Sequence, residues 1–113
     1  MTGEYPVGAM VIEELHFTVE PAERDRFVEV ESEIWTGFLR TCDGFVRKEV
    51  WYPHDDDATV VVMIWWESLV RWKSITEAQC AEVDRRMGAW LRPITFARAH
   101  EVVGAHEVVW AGA

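Results

Sequence analysis

The chain has 113 residues and a mass of 13.1 kDa, the size of one domain spanning residues 1–113. Half of its residues are hydrophobic, which excludes intrinsic disorder, and eleven basic against twenty acidic residues give a net charge of -9. A surface this acidic repels phosphate, so neither nucleic acid nor an anionic membrane is expected as a partner. A chain of this mass buries enough surface for a core without disulfides or a structural metal, exposing roughly 6,400 Å² of the roughly 19,000 Å² available unfolded. Seven tryptophans are more than so small a core hides easily, so some are expected to line a pocket or an interface. The N-terminus MTGEYPVGAM has neither a basic start nor an apolar run and does not read as a signal peptide. Cys42 and Cys80 form no CxxC pair, which points to a reduced, cytoplasmic protein.

Val11 to Val19 alternates, with Val11, Leu15, Phe17 and Val19 on one side and Ile12, Glu14, His16 and Thr18 on the other. This predicts a strand with one apolar face. Pro21 then opens a helix at its favoured first position. Phe27, Val30, Ile34, Trp35 and Phe38 recur at helical steps, and the acids Glu23, Glu29, Glu31 and Glu33 are expected to face water. Asp43-Gly44 ends this segment in a turn.

Phe45 to Tyr52 predicts a second strand, with Pro53 to Asp57 as its hairpin loop. Val60 to Glu67 is a third, apolar on both faces and therefore central. Ser68 caps a short helix, and Thr76 with Gln79 forms a capping box for another, in which Cys80, Val83, Met87 and Trp90 share a face. Phe96 to about Val109 is the fourth strand, interrupted near Gly104. Strand, helix, strand, strand, helix, strand specifies an α+β, ferredoxin-like βαββαβ plait: a four-stranded antiparallel sheet with two helices on one face. Val61, Met63 and Trp65 then point to the uncovered side, and a second copy of the chain is the simplest cover.

With WES after the third strand and GF opening the second, the sequence resembles the dimeric α/β barrel superfamily, in particular its antibiotic-biosynthesis-monooxygenase branch. The segments VIEELHF, IWT, GFVRKEVW and WESLVRWKSI are also similar to small bacterial barrels of unassigned function. The resemblance implies a homodimer and a small apolar or aromatic ligand, but not one chemistry, because the fold hosts many reactions. Haem-degrading members use an Asn on the first strand, a Trp early in the second helix and a His further along it. Trp72 matches, but the chain has no Asn and reads Gln79-Cys80-Ala81-Glu82 where the His belongs. Cofactor-free quinone-forming members use a Trp ending the third strand, an Asn four residues earlier, an aromatic on the next helix and an Arg on the second. Trp66 and Trp72 match, Val62 replaces the Asn, and the Arg is Arg85 or Arg86.

Glu13 is the most informative residue. Alternation places it among Val11, Leu15 and Phe17, where a carboxylate must be paired or have a raised pKa. Paired with an Arg it is structural; facing a cavity it is a general base. Trp35, Trp66 and Trp72 are expected to converge near it, as pocket walls for a flat apolar molecule or as core. His16 and His100 are candidate proton carriers. On a straight strand His100 and His106 lie roughly 20 Å apart and cannot share a metal. His54 to Asp57 lacks the spacing of a calcium loop.

With no GxGxxG, P-loop, GxSxG or HExxH motif, no bound cofactor or metal is expected. The reading is a homodimeric, cofactor-independent, monooxygenase-like enzyme acting on an aromatic or polyketide-like molecule by proton abstraction. Its catalytic residues are Glu13, His16 and His100, and its substrate-binding residues Trp35, Trp66, Trp72 and Arg86. Isomerisation, cyclisation or dehydration follows from the same step without oxygen. A non-catalytic ligand-binding or structural dimer is the alternative.

Overall fold

The computed structural model describes residues 10–105. Strand β1, Val11–Thr18, has the expected alternation. Pro21 opens a 3-10 turn rather than an α-helix, Pro21–Glu23, which leads into α1, Arg24–Glu31. The helix then widens into a π-helical turn, Ser32–Thr36, and closes as α2, Gly37–Leu39. Strands β2, Phe45–Trp51, and β3, Thr59–Trp66, form the hairpin. Asp56 closes its loop, accepting from the Ala58 N–H at 3.0 Å and the Thr59 hydroxyl at 2.6 Å.

Helix α3, Leu69–Lys73, begins at the Ser68 cap, whose hydroxyl accepts from the Arg71 N–H. Helix α4, Glu77–Met87, begins with the full Thr76–Gln79 capping box. Strand β4, Ile94–Glu101, starts two residues before the expected Phe96. It ends at Glu101, before the expected interruption near Gly104, and the rest of the expected strand, from His106 toward Val109, lies outside the described residues.

The sheet order is β2-β3-β1-β4, all antiparallel, with the helices on one face: the ferredoxin-like arrangement. Phe27, Leu39 and Met87 come down from the helices onto Val11, Val60, Val62 and Trp66 of the central strands. Each such side chain, fully buried, contributes about 1.5–3 kcal/mol. Gly44, at φ 88°, turns the chain into β2 beside α3. A Cβ there would lie 2.4 Å from that of Arg71, while the Gly44 carbonyl accepts from the Glu67 N–H at 2.7 Å. No side chain fits.

Two expectations need correction. Val61 and Met63, on the helix-free face, are only 6% and 7% exposed within one chain. Their cross-strand partners are larger: His16 and Trp51 flank Val61, and Glu14 and Glu49 flank Met63. The Arg47 guanidinium lies 4.2 Å over the Trp65 ring. What the open face exposes is Trp51 at one margin (46%) and Phe96 at the other (44%). The second correction is Glu31, which is 4% exposed and not solvated. The Lys48 ammonium, inward on β2, donates to both its oxygens at 2.6 and 2.7 Å and to the Thr36 hydroxyl at 2.9 Å.

Candidate active site

A cavity of about 500 Å³ lies between the helix-covered side of the sheet and the helices. Glu13, Leu15, Ile64 and Trp66 form its floor. Trp35 enters from the π-helical turn, Trp72 from α3, and Cys80 and Asp84 from α4. The volume falls within the range of small-molecule sites, and the wall has their composition: largely apolar and aromatic, with a few polar groups.

Glu13 stands opposite Ile64 of β3 and Ala99 of β4, so strand pairing fixes its position. The Trp66 indole N–H donates to its Oε1 at 3.2 Å. Burial raises the carboxyl above its ordinary range, and the Trp66 hydrogen bond, the Lys73 charge and the Trp72 indole pull it back in part. Glu13 therefore has an indole donor and a nearby ammonium in place of an arginine pair. A carboxyl so placed can take a proton from a bound molecule near neutrality.

Glu14 and the histidines occupy the other face. His16 Nε2 lies 2.8 Å and His100 Nε2 3.1 Å from the two oxygens of Glu14. The imidazoles, His16 foremost, hold that carboxyl below its ordinary range. His16 also meets the Phe96 ring edge-on at 4.8 Å. Neither histidine reaches the cavity, because on a strand the neighbours of a cavity-facing residue point away from it.

Neither a family model nor a curated protein matches the chain in sequence. Solved structures match it in shape. SnoaB, a cofactor-independent oxygenase from Streptomyces nogalater, has a TM-score of 0.61 at 17% identity, over 88% of this chain and 97% of its own. The ActVA-Orf6 monooxygenase of Streptomyces coelicolor, in complex with nanaomycin D, has a TM-score of 0.67 at 17% identity, over 94% and 96%. A Caulobacter crescentus protein provisionally named an antibiotic biosynthesis monooxygenase has 0.66 at 15%, over 85% and 92%. This chain has the antibiotic biosynthesis monooxygenase-like fold.

On this monooxygenase-like fold, four of the expected site residues meet: Glu13, Trp35, Trp66 and Trp72. Arg86 does not join them. Together with Arg85 it turns toward Glu82 on the outer side of α4. Among the described residues, no group of three His, Cys, Asp or Glu side chains is arranged to hold a metal ion. No described helix is long and apolar enough to cross a membrane.

Asp84, Lys73 and Arg92, none of them among the expected site residues, line the cavity, as does Glu31, which was expected to face water. Asp84 carried a signal, lying four residues after Cys80 and three before Met87 and hence on the apolar stripe of its helix. Lys48 carried another, since alternation turns it inward with Val50 and an inward lysine needs an acid. Lys73, stacked 4.2 Å from the Trp72 ring, and Arg92, held 3.3 Å from Glu23, carried none.

Proposed function

We propose that this protein is a homodimeric, cofactor-independent, monooxygenase-like enzyme that removes a proton from a flat aromatic or polyketide-like molecule. Glu13 is the base. Trp35, Trp66 and Trp72 hold the ring system, and Lys73 offsets the negative charge that develops on it. The electron-rich anion then reacts with oxygen, so the substrate itself supplies the electrons and no bound cofactor is needed. The observation that carries the reading is a buried, indole-bonded carboxyl facing a mainly apolar cavity. That two structurally similar proteins are named a cofactor-independent oxygenase and a monooxygenase supports it.

Glu13→Gln keeps size and hydrogen bonding but removes the base. Turnover of a planar carbon acid should fall about 100- to 10,000-fold, the usual range for loss of a general base. Trp66→Phe should raise KM and, by removing the indole N–H that pulls the Glu13 carboxyl down, move the acid limb of the kcat profile to higher pH. Full activity in Glu13→Gln would sink Glu13 as the base and put the catalytic centre elsewhere, whereas a wild type that binds planar molecules without turning them over would leave a ligand-binding dimer in its place.

A further inference from the structure

We propose that Asp84 is a second catalytic acid, which delivers a proton to the substrate's departing oxygen from the cavity wall formed by α4 while Glu13 works from the floor. The proposal rests on the reading of Glu13 as a base. Asp84 and Cys80, one turn apart on one face of α4, both line the cavity. The Cys80 thiol, on the same cavity wall, is pushed up by burial and then by the charges of Glu13 and Asp84.

Each acid has a tryptophan beside it on the cavity wall: Trp66 donates to Glu13 at 3.2 Å, and Trp35, from the π-helical turn, lines the cavity with Asp84. Burial lifts the Asp84 carboxyl above its ordinary range, and the Trp35 indole pulls it back in part. The adjacent Arg85 and Arg86 are directed at Glu82 and leave Asp84 without an ion pair on its own helix. The other charged or titratable groups on the cavity wall are Glu13 of β1, Glu31 of α1 with Lys48 bound to it, Lys73 of α3, Cys80 and Arg92. Glu31 is neutralised by Lys48, so among the described residues Glu13 and Asp84 are the carboxyls on this wall without an ion pair.

Two acids at separate points suit the oxidation of a CH₂ group to a carbonyl by molecular oxygen. The Glu13 carboxylate takes the first proton, and the carbanion's electron pair goes into a new bond to oxygen. The resulting peroxide anion takes that proton back from Glu13. Glu13, again a carboxylate, removes the second proton from carbon as the O–O bond breaks. Asp84 protonates the leaving hydroxide, which departs as water, and then recovers a proton from Glu13. One oxygen atom stays in the carbonyl and one leaves as water, and the four electrons come from the two C–H bonds.

Anthrone, a planar carbon acid with such a CH₂ group, separates the two roles. Deuterium exchange at that carbon without oxygen reads Glu13 alone, and anthraquinone formation in air reads both acids. For Asp84→Asn we expect exchange at about the wild-type rate, quinone formation down about a hundred-fold, and loss of the alkaline limb of the rate profile. Asp84→Glu should restore part of each. An unchanged quinone rate, or exchange and oxidation falling together, overturns the role of Asp84. So does a wild type that exchanges anthrone without oxidising it. A wild type that accelerates neither overturns the reading of Glu13, and the proposal with it.

Discussion

Burial raises the Glu13 carboxyl, whereas two imidazoles lower that of its chain neighbour Glu14. The raised value has a consequence for stability. Between 4.5, its ordinary value, and its raised one, the folded protein keeps a proton that the unfolded chain has lost. Stability attributable to Glu13 therefore falls as pH climbs through that interval. Glu13→Gln has no such proton. Its Tm should gain on the wild type as pH rises from about 4 to about 7, as followed by melting curves in matched buffers. Curves that stay parallel would mean that Glu13 titrates as it does in the unfolded chain.

At the scale of elements, the Lys48–Glu31–Thr36 contacts clip β2 to the helix where it widens into the π-helical turn. Lys48→Met leaves Glu31 charged and unpaired in the interior, and should cost about 3–5 kcal/mol in denaturant unfolding. Adding Glu31→Leu should recover most of it, since a buried pair replaced by apolar groups is often neutral. The plait itself was legible because alternation in β1, the doubly apolar β3 and the caps at Ser68 and Thr76 are all local patterns. The π-helical turn was not, because no residue type marks it and helical periodicity assumes a regular winding. After it Leu39 is buried, and Glu31, which a solvated acidic face would expose, is inside. Glu13 was legible as a polar break in an apolar alternation. His16 and His100 lie on the face opposite the cavity, bonded to Glu14, as the β1 alternation that places His16 beside Ile12 and Glu14 requires.

For the whole molecule, the helix-free face is the surface on which the proposed dimer would form. Its centre is shielded by the chain's own side chains, which leaves Trp51 and Phe96 as the exposed anchors. Sedimentation at low micromolar concentration should give about 26 kDa, twice the 13.1 kDa of the chain. Phe96→Glu or Trp51→Glu should shift it to the single-chain mass with the circular dichroism unchanged. Two protomers of net charge -9 repel one another. Added salt should therefore tighten the dimer by screening. A folded, soluble species that stays monomeric in high salt would refute the assembly.

The floor of the cavity is a strand, and that makes it a ruler. Glu13, Leu15 and Phe17 all look into the same space, and successive positions on one face are about 7 Å apart. The place at which a proton can be taken is therefore graduated in fixed steps. Moving the carboxyl one mark along, with Glu13→Leu and Leu15→Glu together, keeps the composition of the wall while presenting the base to a different ring of the same bound molecule. Under the proposed function, which carbon loses its proton becomes a matter of strand arithmetic.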